Sequence, residues 1–303
     1  MMPATDIYRV GACFTAASLF EVCISPSPGL VSPYDSGAHT DMNIFTFILG
    51  SSVLAPYFTE CVTTGWQEAE QSLEHVFAEL RAIGVRAERE LLQATSGVNT
   101  QRGQLFVLGL SAGIAGVCLA KGVKVPSPDF FLAVKSACRG LTERDLSKLA
   151  KRERDSLTAG ERLYMEKGYT GIRGEAEAGL PTVERVGYPA LEYALSRDVS
   201  LNDAAVHALI SIMAHLADTT VLHRAGEAGL ALVQETAKTI LAAGSVFSAR
   251  GRDLTRQAHL SFVATRLSPG GSGDLLSLSL ALHFQGEGFP SPPTLLRPSL
   301  FKG

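Results

Sequence analysis

An all-α fold is predicted for this 303-residue chain, a single multi-helix bundle with long Gly-rich functional loops clustered at one end. Three observations point to it. Apolar residues recur at helical spacing along most of the sequence, Ala and Leu abound while aromatic residues make up only 7%, and no stretch alternates apolar and polar long enough for a sheet. An apolar share of 46% supplies a sizeable core, and a charged share of 19% is too low for a disordered chain.

The elements follow in order. Residues 7–24 read as a first helix, nearly apolar all round, and 42–63 as a second. In 66–95, Leu73, Val76, Phe77, Leu80, Ile83 and Leu91 fall at helical spacing. Residues 102–122 approach the length of a membrane span, but Gln101, Arg102 and Gln104 open the run and Ser111 and several glycines interrupt it. They read as a buried core helix, with no membrane involved. Shorter helices are expected at 129–137, 143–153 and 159–167, then at 181–196, 203–217, 220–243, 253–265 and 273–284. The mixed-charge run 139–154 reads as a solvated helix face. One domain is expected over 1–285. The extension 286–303, with Pro290, Pro292, Pro293 and Pro298, is expected not to hold a helix.

The net charge of −3 excludes a broad basic face for nucleic acid, so any polyphosphate must be met by local groups. Cys13, Cys23, Cys61, Cys118 and Cys138 form no CxxC pair and read as reduced, mostly buried thiols. The N-terminus has no basic segment leading into a clean apolar run, so no signal peptide is expected and the cytoplasm follows.

Loops 25–39, 96–100, 168–181 and 268–273, rich in Gly, Pro, Ser and Asn, hold most of the polar chemistry. The first leads His39 and Asp41 to a helix start, where an Asp is often an N-cap and free N–H groups attract anions. Next come Asn99, Thr100, Gln101 and Arg102; an Arg in a first helical turn opposes the helix dipole unless an anion binds there. Arg173, Glu175 and Glu177 share a Gly-punctuated stretch, and carboxylates two apart repel unless a metal or an Arg relieves them. Asp218 precedes His223 and Arg224, and could be an ordinary N-cap. His207 and His215 read as packing histidines. Finally, Ser268, Gly270, Gly271, Ser272 and Asp274 form a turn whose N–H groups resemble an anion nest. It is neither a Walker A nor a Rossmann loop.

Taken as a set, the segments SPGL (27–30), SGAHTDM (36–42), GVNTQRG (97–103), GIRGEAEAGLP (171–181), DTTVLHRAG (218–226) and LSPGGSGDLL (267–276) resemble, in order, the signature of the triphosphoribosyl-dephospho-CoA synthase family. The segments 45–47 (FTF) and 56–58 (PYF) add to the likeness, which covers roughly residues 10–284. Gln101 stands where the family usually has His, Thr220 where it has Asn, Ala225 where it has Gly, and Gly273 where it has Ala. A Gln hydrogen-bonds but carries no proton at neutral pH, which puts an acid–base role at that position in question.

The resemblance implies that ATP gives up adenine and its triphosphoribosyl group passes to the 2′-hydroxyl of dephospho-CoA. The product is the prosthetic-group precursor of citrate lyase, or alternatively of malonate decarboxylase. An apo-acyl-carrier protein or its transferase is the implied protein partner; separately, apolar helices such as 7–24 could form a homodimer face. Mg²⁺ is the expected cofactor. Arg102, Arg173, Arg224 and Mg²⁺ would neutralise the triphosphate. Glu175, Glu177 and Asp218 are the expected ligands of the metal or of the reacting ribose, and His39 or Asp41 the expected base. Asn99, Thr100, Gln101, His223, Ser268, Gly270, Gly271, Ser272 and Asp274 complete the expected substrate contacts. Three other readings compete: an ATP- or CoA-binding helical protein altered through Gln101, a helical scaffold, and an ADP-ribosylglycohydrolase-like Mg²⁺ enzyme.

Overall fold

Helix α4 (Arg102–Lys121) is apolar on every face, so it can be satisfied only by full enclosure. In the computed structural model, which describes residues 4–146 and 157–301, it runs through the interior of the N-terminal half. Around it stand α1 (Ala4–Cys23), α2 (Ile44–Gln67), α3 (Leu73–Ala94), α5 (Pro128–Ala137) and, from the far end of the chain, α13 (Gly270–Glu287). Glycines set the approach of α2 to α4: a Cβ on Gly65 would stand 1.8 Å from the carbonyl oxygen of Gly113. Among the described residues two helices, α2 and α4, have the length and hydropathy to cross a membrane; α4 is largely enclosed by protein, whereas α2 leaves Phe45, Ile48 and Leu49 exposed.

A second group of helices surrounds α10 (Leu201–Met213), which packs against α9 (Tyr188–Ser196), α11 (Thr219–Ala242) and α13. Side chains of Asn43, Ser72, Ser127, Thr158, Ser200 and Asp218 cap helix starts. Among the described residues there is no strand, in agreement with the all-α expectation. Cys13, Cys61, Cys118 and Cys138 are buried free thiols and Cys23 is an exposed one.

The structure corrects three expectations. Residues expected as a loop at 168–181 contain α8 (Gly171–Ala178), following α6 (Leu141–Leu146) and α7 (Ala159–Lys167). The Glu-Ala-Glu-Ala run prefers a helix, and Gly171 and Gly179, both at positive φ, begin and end it rather than dissolve it. The expected helix 181–196 is divided by a π-turn, Val183–Gly187, ahead of α9. The C-terminal extension is not devoid of helix: α13 reaches Glu287, and Pro292–Leu295 form one turn, α14, with prolines where no helical N–H is required. The tail then docks on the body, where Asp203 accepts from Ser299 Oγ at 2.6 Å and from Leu300 N at 2.8 Å. Residues 147–153 of the expected helix 143–153, and the end of the run 139–154, lie outside the described residues.

Candidate active site

The N-termini of α4, α11 and α13, the C-terminal end of α1 and the loop through His39 meet at one end of the fold. They enclose two adjoining cavities of about 440 Å³ and 620 Å³. The common wall includes Asn99, Arg102, Gly103, Thr219, Thr220 and Asp274. The first cavity is polar, with Glu21, His39, Asp41, His223, Arg224 and Ser268 on it. The second is larger and mixed, with Tyr57, Phe77 and Phe106 beside Arg81, Arg173 and Glu175.

The turn 268–273 was expected to hold an anion, and it does so with the protein's own Asp218. Oδ1 of Asp218 caps α11 by accepting from Thr220 N at 2.9 Å and Val221 N at 3.4 Å, and it also accepts from Gly271 N at 3.3 Å. Oδ2 accepts from Ser272 N at 2.8 Å and Ser272 Oγ at 2.9 Å. One carboxylate thus ties the starts of α11 and α13 together. Burial pushes its carboxyl up, more than these donors pull it down.

His39 is only 10% exposed at its side chain, and both ring nitrogens are engaged. Nε2 lies 2.9 Å from Ser268 Oγ, and Nδ1 faces Arg224 Nη2 at 3.2 Å. Because a guanidinium only donates, Nδ1 is the acceptor and the proton sits on Nε2. Burial first, then the Arg224 charge, push His39 down to about 4, against the opposing pull of Asp41 3.8 Å away. A neutral imidazole with no free lone pair does not suit the expected role of base; it orients Arg224, which also donates to the carbonyl of Ala38 at 3.3 Å. Arg224 therefore presents its charge to the first cavity with no carboxylate among these partners.

Asp274 faces both cavities from the second turn of α13. A Cβ on Gly103 would lie 1.8 Å from its Oδ2, so glycine at 103 is what admits the carboxylate. Burial, then the charges of Glu21 and Asp218, raise Asp274 well above the ordinary range. Glu21, on α1, is 5% exposed and pushed up to about 7 by burial, partly offset by a hydrogen bond from Gln104. Thr100 lines the first cavity, and its buried Oγ1 has no hydrogen-bond partner among the described residues. Asn99 Oδ1 accepts weakly from Arg102 N at 3.4 Å.

Other expected residues lie elsewhere or are engaged. Gln101 is 1% exposed and faces neither cavity. Its Nε2 is shared among Ser18 Oγ, Ser51 Oγ and Gln104 Oε1 at 2.9, 2.8 and 3.1 Å. Glu177 caps the start of α6 through Thr142 N at 3.0 Å and the Thr142 hydroxyl, and lines neither cavity. Glu175 reaches the second cavity but accepts from Thr182 Oγ1 at 2.7 Å and Thr182 N at 3.2 Å. Arg173 pairs with Asp145 at 3.3 Å, and Arg102 pairs with Glu88. Glu175, Glu177 and Asp218 thus do not converge on a cation, and the described residues contain no group of three metal-ligating side chains. The expected Mg²⁺ ligands do not fit that role.

Glu21 and Gln104 escaped the sequence reading. Both stand in apolar helices, where a single polar residue looks incidental; the available signal was an Asp/Glu or Gln inside an otherwise closed apolar stripe.

The family model described as ATP:dephospho-CoA triphosphoribosyl transferase (CitG) matches residues 7–292. A probable 2-(5''-triphosphoribosyl)-3'-dephosphocoenzyme-A synthase of Malonomonas rubra is 36% identical over 280 residues, 92% of this chain and 88% of the relative. The 2-(5''-triphosphoribosyl)-3'-dephosphocoenzyme-A synthase of Pectobacterium atrosepticum is 36% identical over 276 residues, 89% of this chain and 87% of the relative. The synthase of that name from Klebsiella pneumoniae is 36% identical over 263 residues, 87% of this chain and 86% of the relative. No solved structure matches the chain. The chain belongs to the ATP:dephospho-CoA triphosphoribosyl transferase family (CitG), a family of transferase enzymes.

Proposed function

We propose that the cleft binds ATP and 3′-dephospho-CoA in its two cavities, breaks the C1′–N9 bond of ATP, and transfers the triphosphoribosyl group to the 2′-hydroxyl of the acceptor, releasing adenine. The observation that carries this reading is Asp274, a carboxyl on the wall common to both cavities, where the two nucleotides would meet. The first cavity suits the triphosphate: Arg102 and Arg224 line it, the buried Thr100 Oγ1 lacks a partner among the described residues, and the start of α4 lies on its wall. The second, larger and partly aromatic, suits the acceptor. A carboxyl pushed well up by burial and two acidic neighbours is suited to donate to the departing adenine.

Mg²⁺ enters this reading as the counter-ion of the triphosphate, held by phosphate oxygens as part of the substrate. The product would serve as the prosthetic-group precursor of citrate lyase, with malonate decarboxylase as the other consumer. Gln101 lies behind the cleft wall, so its departure from His removes no proton-transfer group from the cavities, which favours a retained activity over a binding-only protein.

The test is to incubate the protein with ATP, Mg²⁺ and dephospho-CoA and follow adenine by chromatography and the CoA product by mass. Adenine and a triphosphoribosylated product in equal amounts are expected. Intact ATP, with the protein folded and binding it, would sink the transfer reading and leave a nucleotide-binding protein.

A further inference from the structure

Glu21 belongs to none of the motif segments, and its surroundings are built for it. Its Oε2 accepts from Gln104 Nε2 at 2.9 Å, while Oε1 accepts no hydrogen bond from the described residues and faces Gly273, where a Cβ would stand 2.8 Å away. Gln104 is held on both sides: Nε2 also donates to Ser277 Oγ at 2.6 Å, and Oε1 accepts from Ser18 Oγ at 2.8 Å and from Gln101 Nε2. Ser18, Ser51, Gln101, Gln104 and Ser277 are all buried, and this polar network ends in one carboxylate on the wall of the first cavity. A buried carboxylate without a cation partner is costly, and a packed apolar residue would be the better choice for stability alone. The arrangement holds one acceptor oxygen toward the cavity in a fixed direction.

We propose that Glu21 is the general base of the transfer, taking the acceptor hydroxyl's proton on Oε1, and that Gln104 is its positioning residue. The proposal rests on the reading of the cleft as a site of triphosphoribosyl transfer. In the step, the acceptor oxygen bonds to C1′ as the C1′–N9 bond breaks and its electron pair leaves with adenine. The hydroxyl proton goes to Glu21, adenine takes a proton from Asp274, and the proton on Glu21 passes to Asp274 or solvent once product leaves. Nothing is oxidised or reduced. The charged and titratable groups near Glu21 are Asp274 from α13 and Cys23 on its own helix; Arg102 at the start of α4 lines the same cavity but is paired with Glu88. The two carboxyls differ in their partners: Glu21 keeps a side-chain donor, Gln104, on one oxygen, while Asp274 sits between the charges of Glu21 and Asp218 on the wall common to both cavities, the placement that suits base and acid respectively.

The experiment measures adenine release at saturating substrates from pH 5.5 to 9 for wild type, Glu21→Gln, Glu21→Asp and Gln104→Met, with ATP affinity by calorimetry. Glu21→Gln is expected to lower kcat by about 10²- to 10⁴-fold while ATP affinity changes less than about threefold, and Glu21→Asp to restore part of the rate. Gln104→Met removes the donor that favours the ionised form, so the acidic limb of its kcat profile should move up by about one pH unit. A folded Glu21→Gln enzyme with kcat within about threefold of wild type overturns the proposal. Should Glu21→Gln fail to fold, an unmoved limb in Gln104→Met overturns it. A wild-type enzyme that releases no adenine sinks the transfer reading itself, an outcome distinct from an active wild type with an equally active Glu21→Gln.

Discussion

The Asp218 carboxylate accepts from the backbone N–H of Ser272 at 2.8 Å, across 54 positions of the chain. This contact converts two helix starts into one rigid corner. α11 carries Arg224 on the wall of the first cavity, and α13 carries Asp274 to the boundary of both. Asp218 acts on the site by fixing the relative placement of those two side chains, since its own oxygens are already engaged by four backbone N–H groups and a hydroxyl.

Replacing Asp218 with Asn removes the charge and turns an amide NH₂ toward N–H donors. A loss of about 2–4 kcal/mol is expected, combining an N-cap with charge-assisted bonds across the corner. Urea unfolding of the variant measures it. Unchanged stability together with abolished Mg²⁺ dependence would instead make Asp218 a metal ligand.

His39 is expected to stay neutral through the physiological range. Its folded value, about 4, lies below the ordinary 6.5, so its contribution to stability is present above pH 6.5 and is lost as pH falls through 4. A ring NMR titration should show no protonation between pH 7 and about 5. Arg224→Ala should raise the KM for ATP by about tenfold or more, and His39→Asn should raise it less, through loss of orientation. If His39→Asn abolished turnover at unchanged KM, the imidazole would be a proton carrier after all.

Glu21 should govern the alkaline side of stability. Its folded value, about 7, lies above 4.5, so the native state holds a proton that the unfolded chain has released between those values. Stability therefore falls as pH rises from 4.5 to 7, by on the order of 3 kcal/mol from this group, with Asp274 acting in the same direction. Glu21→Gln should flatten that slope and be the more stable protein at pH 8. Denaturant midpoints at pH 5 and 8 compare the two proteins, and equal slopes would place Glu21 in a more polar setting than its burial implies.

The helices were readable because their signals are local. The fully apolar run of α4 demanded enclosure, and Asp218 was readable as the cap that it is. The segments carrying His39, Arg224 and Asp274 were readable as a family pattern, and they do meet at one cleft. What was not readable is pairing. Whether the nest at 270–272 would take an external anion or Asp218, and whether Glu175 and Glu177 would turn toward a metal or toward Thr182 and Thr142, depends on contacts between segments. Glu21 was hidden for the converse reason: its partners Gln104 and Ser277 are distant in sequence and look like helix filler.

Gly103 is expected to be intolerant of a side chain for a reason confined to the site. Its helix accepts Ala readily, but the new Cβ would fall 1.8 Å from Asp274 Oδ2 and push that carboxyl away. Gly103→Ala should fold with near-native stability and lose about 10²-fold or more in kcat. Full activity in this variant would remove Asp274 from the reacting centre.

Gln101 gives the last expectation. Its side-chain amide serves Ser18, Ser51 and Gln104 behind the cleft wall, while its Oε1 has no partner and lies 2.1 Å from where a Cβ on Gly50 would be. The position needs a hydrogen-bond donor in a confined polar space, a need that imidazole and amide can both meet. Gln101→His, the family's usual residue, should therefore leave kcat within about threefold. Gln101→Leu takes one donor each from the Ser18 and Ser51 hydroxyls and the Gln104 amide oxygen, which keep only their contacts with one another, and should cost about 1–3 kcal/mol in stability and displace Gln104. Paired measurement of unfolding and adenine release separates the cases. A His variant that gains rate by orders of magnitude would mean that this position carries a proton in the reaction, and that the amide found here is a loss of function rather than a substitute donor.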